Sequence, residues 1–376
     1  MKSEIEKTVK EFEKLLVEQL ERQRRIEEQG QKRDFTDGRK IVIGLIDGDG
    51  IGPIIMDCAR KTLFILLEEE IRSGKIELRD VNGLTIENRL ALGESVPKKV
   101  MEEIKACDVI LKGPTETPHG GGLESANVTL RRELDLFANV RPVRIPEKSV
   151  DWTFFRENSE GEYALGSRGL SPNDGMAIDF KVTTKEGSER IARAAFEFAA
   201  KNNKKSVTVV TKANIMKKTD GLFSEIAQRV GREYPQISVN ERYVDIMTAE
   251  LINEKTRSSF EVFLTPNLYG DILSDEAAQI QGGVGTAGSS NLGWRYAMFE
   301  AIHGTAPRLI EEGLGAYADP TSILRAAVLM LRHICLPLRA SRLETAIDKL
   351  RSGSAVTGFG DGITCEEYAK RLSALL

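Results

Sequence analysis

The feature that most constrains this chain is a repeated handover from short, β-prone apolar runs to helical patterns. Ile41-Val42-Ile43-Gly44-Leu45-Ile46 reads as a buried strand, Asp47-Gly48-Asp49-Gly50-Ile51-Gly52-Pro53 as a glycine-rich turn, and Ile54 to Ile71 as a helix. Further apolar runs follow at Val109-Ile110-Leu111, Val207-Thr208-Val209-Val210 and Phe260-Glu261-Val262-Phe263-Leu264, separated by helical patterns. Strands that alternate with helices predict an α/β fold. At roughly 150 residues per domain, the 376 residues predict two domains and a remainder.

The remainder is the first 33 residues, crowded with Glu, Lys, Arg and Gln. Ile5, Val9, Phe12 and Leu16 recur at spacings of four, three and four, one face of an amphipathic helix, and Gly30 offers a stop. The acidic residues argue against a transit peptide, and no apolar core marks a secretion signal. Two roles stay open for this helix: oligomerisation or docking, and a solvated surface element.

Composition narrows the chemistry. With 53 Lys+Arg against 57 Asp+Glu the net charge is −4, so no basic field exists to hold a nucleic-acid backbone. No apolar run approaches the roughly 20 residues that a membrane helix needs. The four cysteines, Cys58, Cys107, Cys335 and Cys365, lie far apart, which suits buried thiols in a reducing cytoplasm better than a disulfide framework. Only His119, His303 and His333 are present, so a metal would be held by carboxylates, which favours Mg²⁺ or Mn²⁺.

Gly48, Gly50 and Gly52 have the spacing G-x-G-x-G, not the G-x-G-x-x-G of a dinucleotide fingerprint. They read equally well as glycines of a tight strand-to-helix turn. More informative is the block from Gly121 through Ser125, Asn127 and Arg131 to Arg144. A helix from Ser125 to Arg132 would gather Ser125, Asn127 and Arg131 near its start. Together with Arg141 and Arg156 these residues could clamp a molecule carrying several carboxylates, because guanidinium forks suit bidentate carboxylate recognition; surface ion pairs are the alternative. Tyr163 is either a packing residue or a proton donor. Lys212, at the end of an apolar strand, could act as a general base. Asp271 and Asp275 at i, i+4 share a helix face and could converge on a divalent cation, although such pairs also occur on solvated faces. The segments Gly282 to Gly288 and Glu300 to Pro307 add loops that would let a nucleotide approach the backbone.

Taken together, Gly48 to Pro53, Ser125 to Arg144, Arg156 to Tyr163, Lys212 to Lys217, Asn267 to Asp275 and His303 to Pro307 resemble the β-decarboxylating dehydrogenases, the family of isocitrate, homoisocitrate and isopropylmalate dehydrogenases. The resemblance runs from about Lys40 to Leu376. It implies a two-domain α/β subunit with a non-Rossmann nucleotide site. Residues 34–136 and 283–376 would form a discontinuous large nucleotide-binding domain. Residues 137–282 would form a small dimerisation and substrate domain, with a clasp or arm near 161–190, and residues 1–33 a helical extension. It also implies a homodimer or higher oligomer with shared active sites.

The roles implied by the resemblance fall residue by residue. Asp271 and Asp275, with Asp245 from the partner subunit, would hold Mg²⁺ or Mn²⁺. Lys212, like Asp245, would act in the partner subunit's active site and assist removal of the hydroxyl proton, and Tyr163 would protonate the product carbon. Ser125, Asn127, Arg131, Arg141 and Arg156 would bind a tricarboxylate. Thr117, Asn214, Glu300, His303, Gly304, Thr305, Ala306, Arg308 and Asp319 would contact NAD or NADP. Ser125 and Asn127 favour isocitrate over isopropylmalate, with homoisocitrate the nearest rival and a regulatory subunit a further alternative. Some positions depart from the family pattern: Asp47 and Ile54 flank the glycine turn, Glu116 precedes Thr117, and Arg308-Leu309 matches neither the NAD nor the NADP form. Asp319 also stands where an Asn is expected, and cofactor preference stays open.

Overall fold

Two stretches of chain on either side of residues 137–277 fold together. The structure, a computed structural model of the 376-residue chain, describes residues 2–27, 32–118, 123–166, 168–283, 285, 287–352, 357–360 and 362–376. It resolves into a flanking unit, Lys32–Leu136 with Ala278–Leu376, and a central unit, Met1–Gln31 with Phe137–Ala277.

The flanking unit opens with β1 (Ile41–Ile46), β2 (Ile76–Asp80) and β3 (Val109–Lys112). The central unit supplies β4 (Ala138–Ile145), β5 (Val150–Glu157), β6 (Leu170–Asn173), β7 (Met176–Ile178), β8 (Ser206–Thr211), β9 (Ser238–Tyr243) and β10 (Val262–Thr265). The chain then returns to the flanking unit for β11 (Gly288–Leu292) and β12 (Ala297–Ala301).

Strands of the flanking unit lie in the order β2-β1-β3-β12-β11, parallel except for the antiparallel β11–β12 pair. Parallel strands need both faces covered, which is why β1 is apolar almost throughout. Ile43 and Leu45 pack with Ile55, Leu63 and Leu331 in one cluster, and Ile46 packs with Ile104, Ile110 and Leu130 in another. The predicted helix after the glycine turn is two helices, Gly52–Leu66 and Glu68–Arg72, because Leu67 leaves helical geometry at φ −110°, ψ 18°.

Strands of the central unit lie in the order β4-β5-β10-β8-β9; β4–β5 is antiparallel and the other neighbours are parallel. Its core is aromatic: Phe154 stacks on Phe263 at 4.4 Å, and the Trp152 ring meets Phe263 edge-on at 5.9 Å. β6 and β7 form a separate two-stranded hairpin.

Residues Lys2–Glu27 form one helix; the proposed stop at Gly30 lies outside the described residues. Of the apolar stripe, only Phe12 packs on the central unit. Ile5, Val9 and Leu16 stay between 46% and 56% exposed, while Leu15, Arg22 and Ile26 are buried. Leu15 joins Leu165 and Leu170, and the Phe12 ring stands 5.3 Å from Phe180. Polar contacts add to this packing: Arg22 donates to Glu160 and Ser159, and Gln23 donates to Glu186. No helix among the described residues is long and apolar enough to cross a membrane.

Candidate active site

In open α/β sheets, ligand-binding residues gather beyond the carboxyl ends of the parallel strands. In the central unit, β5 ends at Glu157 and leads to Tyr163, β10 leads into the helix Asn267–Gln281, β8 leads to Lys212, and β9 leads into the helix bearing Asp245. All four strands are parallel neighbours, so these residues share one edge of the sheet.

Arginines, carboxylates and the tyrosine meet on that edge. Arg141 donates through Nη1 to Ser274 Oγ at 2.8 Å and to Asp275 Oδ1 at 2.6 Å, and through Nη2 to Asp271 Oδ1 at 3.4 Å. Arg156 donates through Nε and Nη2 to Asn267 Oδ1, at 2.9 and 2.7 Å, and through Nη1 to Asp271 Oδ1. The Tyr163 hydroxyl donates to Asp271 Oδ2 at 3.1 Å, with the Arg156 guanidinium 5.4 Å from its ring centre. Spacing i, i+4 on the helix Asn267–Gln281 thus brings Asp271 and Asp275 within reach of one guanidinium. Gly270 permits the close approach of this helix, because a Cβ there would lie 2.7 Å from Arg156 Cβ and 2.2 Å from Thr265 Oγ1.

Lys212 and Asp245 form a second group. Lys212 Nζ donates to Asp245 Oδ1 at 2.5 Å, and this hydrogen bond holds the exposed Asp245 carboxyl below the usual carboxylate range. The Lys212 main-chain N–H donates to buried Asp220 Oδ2 at 2.7 Å, and Asp220 pairs with Lys181 at 2.5 Å. Lys181 in turn lies over the Tyr269 ring, 4.4 Å from its centre. Asn214 is exposed in the turn that follows Lys212.

The flanking unit repeats the strand-end logic. β1, β3 and β12 are parallel neighbours whose carboxyl ends feed the Gly48–Pro53 turn, the Thr115–Thr117 segment and the His303–Ala306 loop. The turn glycines are required by close backbone: a Cβ on Gly48 (φ +73°) would meet Pro114 O at 2.0 Å, and one on Gly50 (φ +58°) would meet Thr305 O at 2.2 Å. Buried Asp49 accepts from the N–H groups of Ile86 and Glu116, both at 2.7 Å, and buried Arg89 donates to the carbonyls of Ser95, Glu116 and Glu124. Those bonds anchor the segment that carries exposed Thr117. His303 Nδ1 lies 2.9 Å from Gly304 O, and Ala306 takes a left-handed conformation before the helix Pro307–Glu311. Arg308 is exposed and pairs with Glu312, and Asp319 accepts from the Thr321 N–H at 2.8 Å.

Ser125 is the N-cap residue of the helix Ala126–Glu133, yet its hydroxyl makes no capping hydrogen bond. Asn127 Oδ1 accepts from Thr115 Oγ1 at 3.1 Å, and Arg131 Nη2 donates to Glu300 Oε1 at 3.0 Å. Glu300 is enclosed by Arg131, by Lys112 at 3.3 Å and by Asn291 at 2.8 Å. Burial alone would raise its pKa, but the charges of Lys112 and Arg131 outweigh it and bring the carboxyl to about 2.

The predicted residues therefore fall into separate groups. Arg141, Arg156, Tyr163, Asp271 and Asp275 cluster in the central unit, Lys212 and Asp245 pair beside one another there, and Ser125, Asn127, Arg131 and the nucleotide candidates other than Asn214 lie in the flanking unit. Sequence reasoning passed over Lys112, Arg89 and Asp220. Lys112 had a readable signal, a lysine ending the apolar run Val109-Ile110-Leu111. As metal donors, Asp271 and Asp275 offer hard carboxylate oxygens without thiolate or imidazole, which fits Mg²⁺ or Mn²⁺. Among the described residues no three His, Cys, Asp or Glu side chains come together as a ligand set within one chain.

Comparisons with known proteins agree with one another. Residues 42–370 match the family model for isocitrate/isopropylmalate dehydrogenase. A protein named probable isocitrate dehydrogenase [NAD] subunit alpha, mitochondrial, from Drosophila melanogaster is 37% identical over 353 residues, covering 92% of this chain and 89% of that one. Isocitrate dehydrogenase [NADP] from Rickettsia bellii is 42% identical over 310 residues, covering 80% of this chain and 61% of that protein. The crystal structure of isocitrate dehydrogenase from Methylococcus capsulatus superposes with a TM-score of 0.78 at 35% identity, covering 89% of this chain and 99% of that one.

Proposed function

Because the chain belongs to the isocitrate/isopropylmalate dehydrogenase family, we propose that it catalyses the metal-dependent oxidative decarboxylation of isocitrate to 2-oxoglutarate, with reduction of NAD or NADP. The observation that carries this reading is the convergence of Arg141, Arg156 and Tyr163 on Asp271 and Asp275. Cationic groups for substrate carboxylates stand directly beside carboxylates for a cation.

Arg141 and Arg156 bind substrate carboxylates as guanidinium forks, the role that the resemblance also gives Arg131. Ser125, whose hydroxyl is not spent on capping, and Asn127 serve the third carboxylate. An isopropyl group in that place would leave both polar groups unpaired, at about 1–3 kcal/mol for each buried group. Mg²⁺ or Mn²⁺ held by Asp271 and Asp275, with Asp245 from a partner subunit, would polarise the substrate hydroxyl and its neighbouring carboxylate while the nicotinamide accepts hydride. Lys212, from the same partner subunit as the Asp245 it bonds, takes up the hydroxyl proton through water. Tyr163, with its hydroxyl aimed at Asp271, returns a proton to the carbon that loses CO₂.

In a dimer with shared sites, Asp245 of a partner subunit would complete the carboxylate set begun by Asp271 and Asp275. We assign the nucleotide to residues 34–136 and 283–376, through Thr117, Glu300, His303, Gly304, Thr305, Ala306, Arg308 and Asp319. Four free thiols support a reducing compartment, in line with a cytoplasmic protein.

The test is direct. NAD and NADP reduction is measured with isocitrate, homoisocitrate and isopropylmalate, with Mg²⁺ or Mn²⁺ and with a chelator. Isocitrate should give the highest kcat/KM, chelation should abolish turnover, and Lys212→Met and Asp271→Asn should each lower kcat by about 100-fold or more. Turnover indifferent to chelation, or unchanged in both variants, removes the reading.

A further inference from the structure

The family match begins at residue 42, so the helix Lys2–Glu27 lies outside it. That helix nevertheless reaches the loop that carries Tyr163. Glu157 and Glu160 are both 2% exposed, three residues apart, on the segment between the end of β5 and Tyr163. Glu157 accepts from the main-chain N–H groups of Ser159 and Glu160 and from Ser159 Oγ at 2.7 Å. Glu160 accepts from the Thr184 N–H at 2.9 Å and Thr184 Oγ1 at 2.6 Å, at the start of the helix Lys185–Lys201.

Two buried carboxylates this close need compensating charge. Two guanidiniums supply it. Arg190, from the helix Lys185–Lys201, donates to Ser159 Oγ at 2.8 Å. Arg22, from the N-terminal helix, donates to Glu160 Oε1 at 3.1 Å and to the same Ser159 Oγ at 3.1 Å. The main chain of Glu160 continues toward the site, since its carbonyl accepts from Asn267 Nδ2 at 2.9 Å and Asn267 Oδ1 holds Arg156. Arg156 and Tyr163 then meet on Asp271.

We propose that Arg22 is a positioning residue for the reaction, holding Glu160 and Ser159 so that Asn267, Arg156 and Tyr163 keep their places around Asp271. The helix before the family fold is on this view part of the catalytic support. The inference rests on the roles assigned above to Arg156, Tyr163 and Asp271. The charged groups at the buried cluster are Glu157 and Glu160 from the loop, Arg190 from the neighbouring helix and Arg22 from the N-terminal helix. Burial and then the Glu160 charge push the Glu157 carboxyl up to about 7, with Arg190 and Arg22 both opposing the rise. Removing Arg22 moves it higher, so the ionised carboxylate that accepts the three loop hydrogen bonds is reached only at higher pH.

Arg22→Met removes the charge and keeps the length; Arg22→Lys keeps the charge and loses the fork. Arg22→Met is expected to lower kcat about tenfold and to move the acid limb of the kcat–pH profile up by about half a pH unit or more. Arg22→Lys should retain the wild-type limb with an intermediate kcat, and it carries the test alone if Arg22→Met does not accumulate folded. Hydrogen exchange at the Ser159, Glu160 and Thr184 amides needs no substrate and should quicken in both variants, more in Arg22→Met. Wild-type kcat, pH profile and exchange in the variants overturn the inference, as does a loss of activity that only tracks a lost folded fraction. Faster exchange in a protein whose wild type does not oxidise isocitrate would instead refute the functional reading and leave the helix-to-loop coupling standing.

Discussion

Glu300→Gln isolates the energetic role of one buried charge, because it keeps the shape of the side chain and one acceptor while removing the anion that Lys112 and Arg131 face. The carboxyl falls from 4.5 to about 2 in the folded protein. At about 1.36 kcal/mol per pKa unit, that depression corresponds to about 3 kcal/mol of stabilisation at neutral pH. Breaking a buried ion pair by removing one partner gives a similar figure, about 3–5 kcal/mol. Lys112 is fully buried and its pKa is already lowered by burial against the pull of Glu300, so shedding its proton caps the loss. For a domain of about 150–250 residues, about 3 kcal/mol lowers Tm by about 6–12 °C. The folded pKa lies below the unfolded one, so the stabilisation is complete above about pH 4.5 and disappears as pH falls toward 2. Urea denaturation of wild type and variant at about pH 7 and about pH 3 measures both the size and the sign, with less than half the gap expected to survive at the lower pH. A gap below about 0.5 kcal/mol at neutral pH, or one that does not narrow on acidification, refutes the argument.

Two further substitutions probe the supports of the central unit. Asp220→Asn takes from the Lys181 ammonium its nearer carboxylate, at 2.5 Å, leaving Glu162 at 3.3 Å, and weakens the acceptor of the Lys212 main chain; unfolding free energy should fall by about 1–3 kcal/mol, and kcat should fall with it in steady-state assays. Gly270→Ala sets a methyl 2.2 Å from Thr265 Oγ1 and 2.7 Å from Arg156 Cβ; thermal melts should show a loss of about 1–3 kcal/mol from overpacking, with lower kcat because Arg156 is displaced.

What the sequence could reveal depended on whether the signal was local. The alternation of Ile41 to Ile46 with a glycine turn predicted β1 and its handover, because period and turn chemistry are both read over a few residues. The i, i+4 spacing likewise predicted a shared face for Asp271 and Asp275. It could not predict that Arg141 and Arg156 would engage those same carboxylates, since that contact depends on β5 pairing β4 on one side and β10 on the other. The N-terminal helix shows the limit from the other side. Its apolar stripe was legible, but not that Arg22 and Gln23 would meet Glu160, Ser159 and Glu186 on another part of its surface. Hydrophobic periodicity carries no information about a partner that is polar. Lys112 and Glu300 are nearly two hundred residues apart in sequence, and only the β3–β12 pairing relates them.

That pairing also sets an order of events during synthesis. β3 ends at Lys112 and its neighbour β12 begins at Ala297, so an emerging chain holds an unmatched strand edge while all of Phe137–Ala277 is made. Domains tend to fold as units as they leave the ribosome, and long-range parallel pairing is slow. The central unit can therefore finish first, while Lys112 remains solvated until Glu300 arrives to accept it. The segment Ala278–Leu376 acts as a closing element for Lys32–Leu136, and a nascent chain stalled before residue 297 would expose both a sticky edge and a cation meant for the interior.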